Sequence, residues 1–263
     1  MPANAASAGA LLSVADLTVR YGGVVALDSV SLSVPAAGFV GLIGPNGAGK
    51  TTFVDALTGF TRYSGEVRFH GTRLDRAPAY IRARRGLART FQSGGVFDDL
   101  TVEENILVGE RSGWGWLSAV ASVLSGRTAP ASRATSEIIE SLGLTGLLGM
   151  QAEELSEGQR KLVCVAQALA SEPKLLLLDE PAAGLDSAES AWLGQQLLAV
   201  RDSGVAILLV DHDMELVMNV CDELIVLDFG KVIATGPPRE VLANPLVVAA
   251  YLGSVVPTAE ELP

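Results

Sequence analysis

Residues Gly44, Pro45, Asn46, Gly47, Ala48, Gly49, Lys50, Thr51 and Thr52 spell GPNGAGKTT directly after the apolar run Phe39–Ile43. The glycines permit a turn in which successive backbone N–H groups point inward at phosphate oxygens. Lys50 can then reach the terminal phosphates, and Thr51 can offer its hydroxyl to Mg²⁺. A helix starting here presents its positive end to the anion. A glycine-rich turn that binds nothing is the plain alternative, and the strand-to-helix setting counts against it. The implied ligand is a nucleoside triphosphate.

Three further groups of residues could complete such chemistry. Leu155-Ser156-Glu157-Gly158-Gln159 precedes Arg160–Ala170, where Leu162, Val163, Val165, Ala166 and Leu169 recur at helical spacing. Ser156, Gly158 and Gln159 at the mouth of a helix can form a second anion site of hydroxyl and outward N–H groups. The same S-x-x-Q spacing also fits simple helix capping, and the string alone does not choose between them. Leu175–Leu178 reads as a strand buried on both faces of a parallel sheet, so Asp179 and Glu180 emerge at its ligand-binding end. Asp179 suits Mg²⁺ through water, and Glu180 is placed to polarise an attacking water. Val205–Val210 predicts another such strand, and His212 beyond it can donate to a γ-phosphate. His70 has no comparable setting and reads as a surface residue.

The order of GPNGAGKTT, Gln92, LSEGQ, LLLLDEP, Ala183-Gly184-Leu185-Asp186 and His212 resembles the nucleotide-binding subunit of ABC transporters, from about Leu12 to Gly253. That resemblance implies an α/β fold with a P-loop (RecA-like) core of parallel sheet and an N-terminal antiparallel β subdomain. An α-helical subdomain at about 94–160 would be inserted in a domain spanning 11–253. It implies ATP and Mg²⁺ as cofactors. In the family's roles Tyr21 stacks on adenine, Glu180 is the general base and His212 the γ-phosphate switch. Gln92 joins the metal site to the membrane partner, and Ser156 and Gly158 touch the γ-phosphate held by the opposite subunit. Asp186 lies across the interface of a head-to-tail dimer. Glu157 stands where the commonest family form has glycine, and a carboxylate in a helix's first turn suits the dipole.

The resemblance also implies partners: a separate permease, a second ATPase subunit of the same or another chain, and indirectly a solute-binding protein. The place implied is the cytoplasmic face of the cell membrane. The strings Arg89-Thr90-Phe91-Gln92, Asp179–Leu185, His212–Met218 and Ala250–Gly253 look like the ATPases of branched-chain amino acid uptake. Urea-import and lipopolysaccharide-export ATPases are the runner-up. A soluble ABC-type ATPase would call for two such domains, coiled-coil arms or basic tracts. A P-loop kinase is opposed by LSEGQ and by the carboxylate pair after a buried strand.

Composition narrows the field. A chain of 263 residues with 49% apolar content can bury a sizeable core. Its net charge of −11 argues against nucleic acid as a partner. Cys164 and Cys221 lack metal spacing and suggest a reducing cytosol. Residues 1–10 and 254–263 read as tails, the first without signal-peptide character. No apolar run approaches the ~20 residues of a spanning helix, so the chain is not itself the pore. Eight arginines between Arg62 and Arg89, against Glu66 and Asp75, read as a solvated basic face. A sharper reading sets Arg84, Arg85 or Arg89 near the permease or anionic lipid. Trp114–Leu124 reads as a helix packed on its own subdomain, with a partner surface as the alternative.

Overall fold

The computed structural model describes residues 9–90, 95–110 and 131–253. Gln92, the Trp114–Leu124 stretch and the two tails, apart from Gly9 and Ala10, lie outside the described residues. The chain opens with β1 (Ala10–Tyr21) and β2 (Val24–Pro35), then β3 (Phe39–Ile43), α1 (Lys50–Thr58), β4 (Ser64–Phe69) and β5 (Thr72–Arg73). Next come α2 (Ala79–Arg84), β6 (Leu87–Arg89), α3 (Val102–Val108), α4 (Arg133–Ser141) and α5 (Glu157–Leu169). The remainder alternates: β7 (Leu175–Asp179), α6 (Ser187–Asp202), β8 (Ala206–Val210), α7 (Met214–Val220) and β9 (Glu223–Asp228). It ends with β10 (Lys231–Gly236), α8 (Pro238–Leu242) and α9 (Pro245–Gly253).

Two sheets result. An antiparallel sheet runs β2-β1-β4-β5, and a second runs β10-β9-β3-β8-β7-β6 with every pair parallel except β9–β10. In the second sheet the central strands β3, β7, β8 and β9 are buried on both faces, which explains why they are nearly unbroken apolar runs. Phe39, Ile43, Leu176, Leu178, Ile207 and Leu209 point into one core with residues of α5, α6 and α7. Val40, Leu42, Leu175, Leu177, Leu208 and Val210 point into the other with α1 and the antiparallel sheet. Register then fixes the site. Leu42 and Asp179 both pair with Val210, so β3, β7 and β8 end side by side and their loops open at one edge.

α5 starts at Glu157 with Ser156 and Gln159 forming a capping box, as the S-x-x-Q spacing allowed. The α/β architecture agrees with the sequence reading, with two differences. The β9–β10 hairpin gives the parallel sheet an antiparallel edge that the apolar runs did not signal. The arginine-rich segment is not one solvated face. Arg82 is 3% exposed and donates to the carbonyls of Ala56, Leu57, Ala77 and Leu74 at 2.7–3.0 Å. It thereby satisfies carbonyls in the last turn of α1, with a cation at the helix's negative end. Arg89 is also internal, its side chain only 10% exposed and held between two carboxylates, so it is not presented to a partner or lipid surface. Arg68, Arg73, Arg76, Arg84 and Arg85 are exposed as expected, as is His70.

Arg82→Gln should destabilise the protein by about 2–4 kcal/mol, since several buried carbonyls lose charged donors. Urea unfolding followed by circular dichroism would measure it. Arg82→Lys should recover less than half of the loss, because an ammonium cannot span carbonyls of α1 and of the 74–77 loop together.

Candidate functional site

The loop between β3 and α1 is shaped by left-handed glycines. Gly44, Gly47 and Gly49 have φ of 152°, 79° and 105°. A side chain at Gly44 would stand 2.1 Å from the Leu227 carbonyl oxygen, so the loop passes against β9 with no room to spare. Gly49 is the N-cap of α1 and offers no side-chain acceptor, leaving the first N–H groups of the helix directed at the loop. Lys50 folds back over that loop, its Nζ donating to the Gly44 and Pro45 carbonyls at 2.7 and 3.0 Å. Burial pulls its ammonium below the usual lysine range, opposed by the charges of Glu180 and then Asp179. The sequence-predicted cation and carboxylates therefore meet at one place.

Asn46, Gly47, Ala48, Gly49, Lys50, Thr51 and Thr52 line an open groove of about 460 Å³ together with Glu180, Val24, Val25, Ala26 and Phe229. Thr51 is exposed in the first turn of α1. Tyr21 lies at the end of β1, half-exposed, opposite Val24, with its hydroxyl 3.1 Å from Thr61 Oγ1. It is not among the groove's lining residues, and neither are Ser156, Gly158, Gln159, Asp186 or His212.

The carboxylate turn is latched to its neighbours. Glu180 adopts a left-handed conformation, φ 51°, strained for a residue with a Cβ. Its N–H donates to the Val210 carbonyl at 2.7 Å, and Ala182 N–H donates to Asp211 Oδ2 at 3.1 Å. Asp211 also accepts from the backbone N–H groups of His212 and Asp213, at 2.7 and 3.0 Å. The imidazole of His212 is mostly exposed, Nδ1 being 3.7 Å from Asp211 Oδ1. Asp213 caps α7 and accepts from Ser190 Oγ at 2.5 Å, joining the histidine loop to α6.

Asp179 is 5% exposed and, unlike Glu180, is not among the groove's lining residues. Arg89 donates to Asp179 Oδ2 at 2.8 Å and to Asp55 Oδ1 at 2.5 Å, tying β7, β6 and α1 together. Asp55 has no motif spacing, Arg89 stood out in the string Arg89-Thr90-Phe91-Gln92 but with no pairing role, and Asp211 was passed over beside His212. Only its place directly after an apolar strand could have singled it out. Tyr251 of α9 is another unforeseen neighbour: burial raises its phenol above the usual range, opposed by a hydrogen bond with the Gly44 backbone.

The signature residues sit apart from this groove. Ser156 is exposed and its Oγ accepts from Gln159 N–H at 3.3 Å, while Gln159 Oε1 accepts from Ser156 N–H at 2.9 Å. The capping geometry that the sequence left open is therefore present, and it leaves Ser156 at an accessible helix mouth. Gly158 is buried against Glu189, where an added Cβ would meet Oε1 at 3.4 Å. Asp186 caps α6 through the N–H groups of Ala188 and Glu189, and is exposed. Among the described residues no cluster of three acidic, histidine or cysteine side chains could cage a metal. The hydroxyl of Thr51 and the carboxylate of Asp179 are oxygen ligands of the kind Mg²⁺ accepts, an ion that keeps waters and needs few protein ligands.

Comparison with known proteins gives this geometry its family. The ABC transporter family profile matches residues 27–183, and a profile for the branched-chain amino acid ATP-binding cassette transporter matches 231–256. The high-affinity branched-chain amino acid transport ATP-binding protein BraF of Pseudomonas aeruginosa is 36% identical over 249 residues, covering 92% of this chain and 98% of its own. The lipopolysaccharide export system ATP-binding protein LptB of Haemophilus influenzae is 33% identical over 245 residues, covering 92% and 97%. The ADP conformation of MJ1267, an ATP-binding cassette of an ABC transporter, superposes with a TM-score of 0.82 at 31% identity, covering 93% of this chain and 99% of that one. The chain belongs to the ABC transporter ATP-binding cassette family and is one of its ATP-hydrolysing subunits.

Proposed function

We propose that this subunit energises uptake of branched-chain or similarly apolar amino acids through a separate permease, at the cytoplasmic face of the membrane. The observation that carries the amino-acid reading is the match of residues 231–256 to the branched-chain amino acid profile, supported by the similarity to BraF over nearly the whole chain. No pocket chemistry bears on the solute, because the solute is carried by the partners. Among the described residues no helix is long and apolar enough to cross a membrane.

In the catalytic cycle Lys50 and the N–H groups of loop 44–52 would hold the β- and γ-phosphates, and Thr51, Asp179 and Gln92 would be the residues that hold Mg²⁺. When bound there, the ion would supply positive charge to offset that of the phosphates. Glu180, at the groove wall, orients the attacking water and accepts its proton. His212 donates to the γ-phosphate, and Tyr21 stacks on adenine. Ser156, Gly158, Gln159 and Asp186 lie outside the chain's own groove, which supports their completing the site of a second ATPase subunit in a head-to-tail dimer. We further propose that the ATPase unit spans 11–253 with a helical subdomain at about 94–160.

One phosphate-release titration tests both halves of this cycle. Glu180→Gln should spare ATP binding and reduce turnover ~100-fold or more, the scale of a lost general base. Wild-type specific activity should climb with protein concentration or on adding permease and partner ATPase. Wild-type turnover in Glu180→Gln, or full activity from a strict monomer by light scattering, would contradict the assignment.

Transport tests the solute. Deleting the gene should depress uptake of labelled leucine, isoleucine or valine and leave urea uptake unchanged, and a Glu180→Gln copy should not restore it. Lost urea uptake with normal leucine uptake would move the assignment to the runner-up.

A further inference from the structure

Phe229 is the one residue of the β9–β10 turn that lines the phosphate groove, and no motif marks it. Its side chain is 87% exposed although it is a large apolar residue. Its φ is 42°, a conformation that a bulky side chain adopts only when the surroundings impose it. The neighbouring contacts do impose it. Gly230 N–H donates to the Ala48 carbonyl at 3.0 Å, and Asp28 N–H donates to the Gly230 carbonyl at 2.9 Å. A Cβ at Gly230 would stand 2.5 Å from the Ala26 carbonyl oxygen, so the turn is wedged between the phosphate loop and β2. The result is an aromatic residue on a fixed turn at a groove whose other large apolar residues, Val24 and Val25, are also exposed.

We infer that Phe229 is a nucleotide-binding residue, its ring packing on the nucleoside of the bound nucleotide while loop 44–52 holds the phosphates. This rests on the nucleotide reading of the groove. The occupant follows from continuity: the apolar wall borders the phosphate cradle, and a phosphate-anchored ligand with an apolar face is a nucleotide. An exposed ring is stable in water only at a cost that a stacked base removes, and base–aromatic stacking is indifferent to base identity. Tyr21 stands outside the groove lining, so Phe229 supplies an aromatic contact additional to any made there.

The inference is tested by calorimetric titration of ADP with Mg²⁺, and separately of inorganic tripolyphosphate, into the full chain. Phe229→Asn and Phe229→Gly both remove the ring and tolerate the left-handed backbone, so neither should lower thermal stability. Both should weaken ADP about 10-fold, within the range of one lost stacking contact, and leave tripolyphosphate unchanged. Phe229→Trp should retain ADP affinity. ADP binding at wild-type strength in the ring-less variants would overturn the proposal, as would equal weakening of ADP and tripolyphosphate. Wild-type protein that bound neither ligand would overturn the nucleotide reading itself, and this inference with it.

Discussion

Burying cations beside carboxylates is the constraint on which this site depends. Lys50 could not sit where it does without the Gly44 and Pro45 carbonyls turned toward it, and those carbonyls point there because glycines take the left-handed turns. Neutral carbonyls hold an ammonium less strongly than a phosphate does, so the resting bonds are ones that a triphosphate can displace. Arg89 solves the same problem one layer below. With Asp55 on one side and Asp179 on the other, it fixes the Asp179 carboxylate to both the phosphate-loop helix and the edge strand. Removing either partner of such a buried pair leaves an uncompensated charge, which makes the arrangement a positioning device more than a source of stability.

From these two cations the surrounding fold makes sense. Three parallel strands end in register, and each delivers one part: the phosphate loop, the carboxylate turn and the histidine loop. Asp211 then locks the second to the third by accepting from Ala182 and from its own loop. The strain at Glu180 is sustained by that lock, and it keeps the carboxylate on the groove wall.

What was legible in the sequence is what local spacing encodes. GPNGAGKTT, the carboxylates after four leucines, and the S-x-x-Q helix start each carry their geometry within a few residues. The structure also shows that the capping and anion-site readings of Ser156 are compatible, since a cap can sit at an open helix mouth. What escaped depends on contacts between distant residues. Arg89 reaches Asp179 across 90 positions and Asp55 across 34. Arg82 was misjudged because a charged side chain is seldom so buried unless it is paired, and its partners are backbone carbonyls that no sequence pattern displays. Phe229 was invisible for the same reason, its presentation being set by Ala26 and Ala48.

The central claim is that loop 44–52 is a triphosphate cradle closed by Lys50. Equilibrium titration of a non-hydrolysable ATP analogue with Mg²⁺ into wild-type and Lys50→Ala protein tests it most directly. The account predicts saturable binding to the wild type and a loss of about 10-fold or more in the variant, the scale of one buried charge-assisted contact, with the fold intact by circular dichroism. Equal affinity in the two proteins would contradict it.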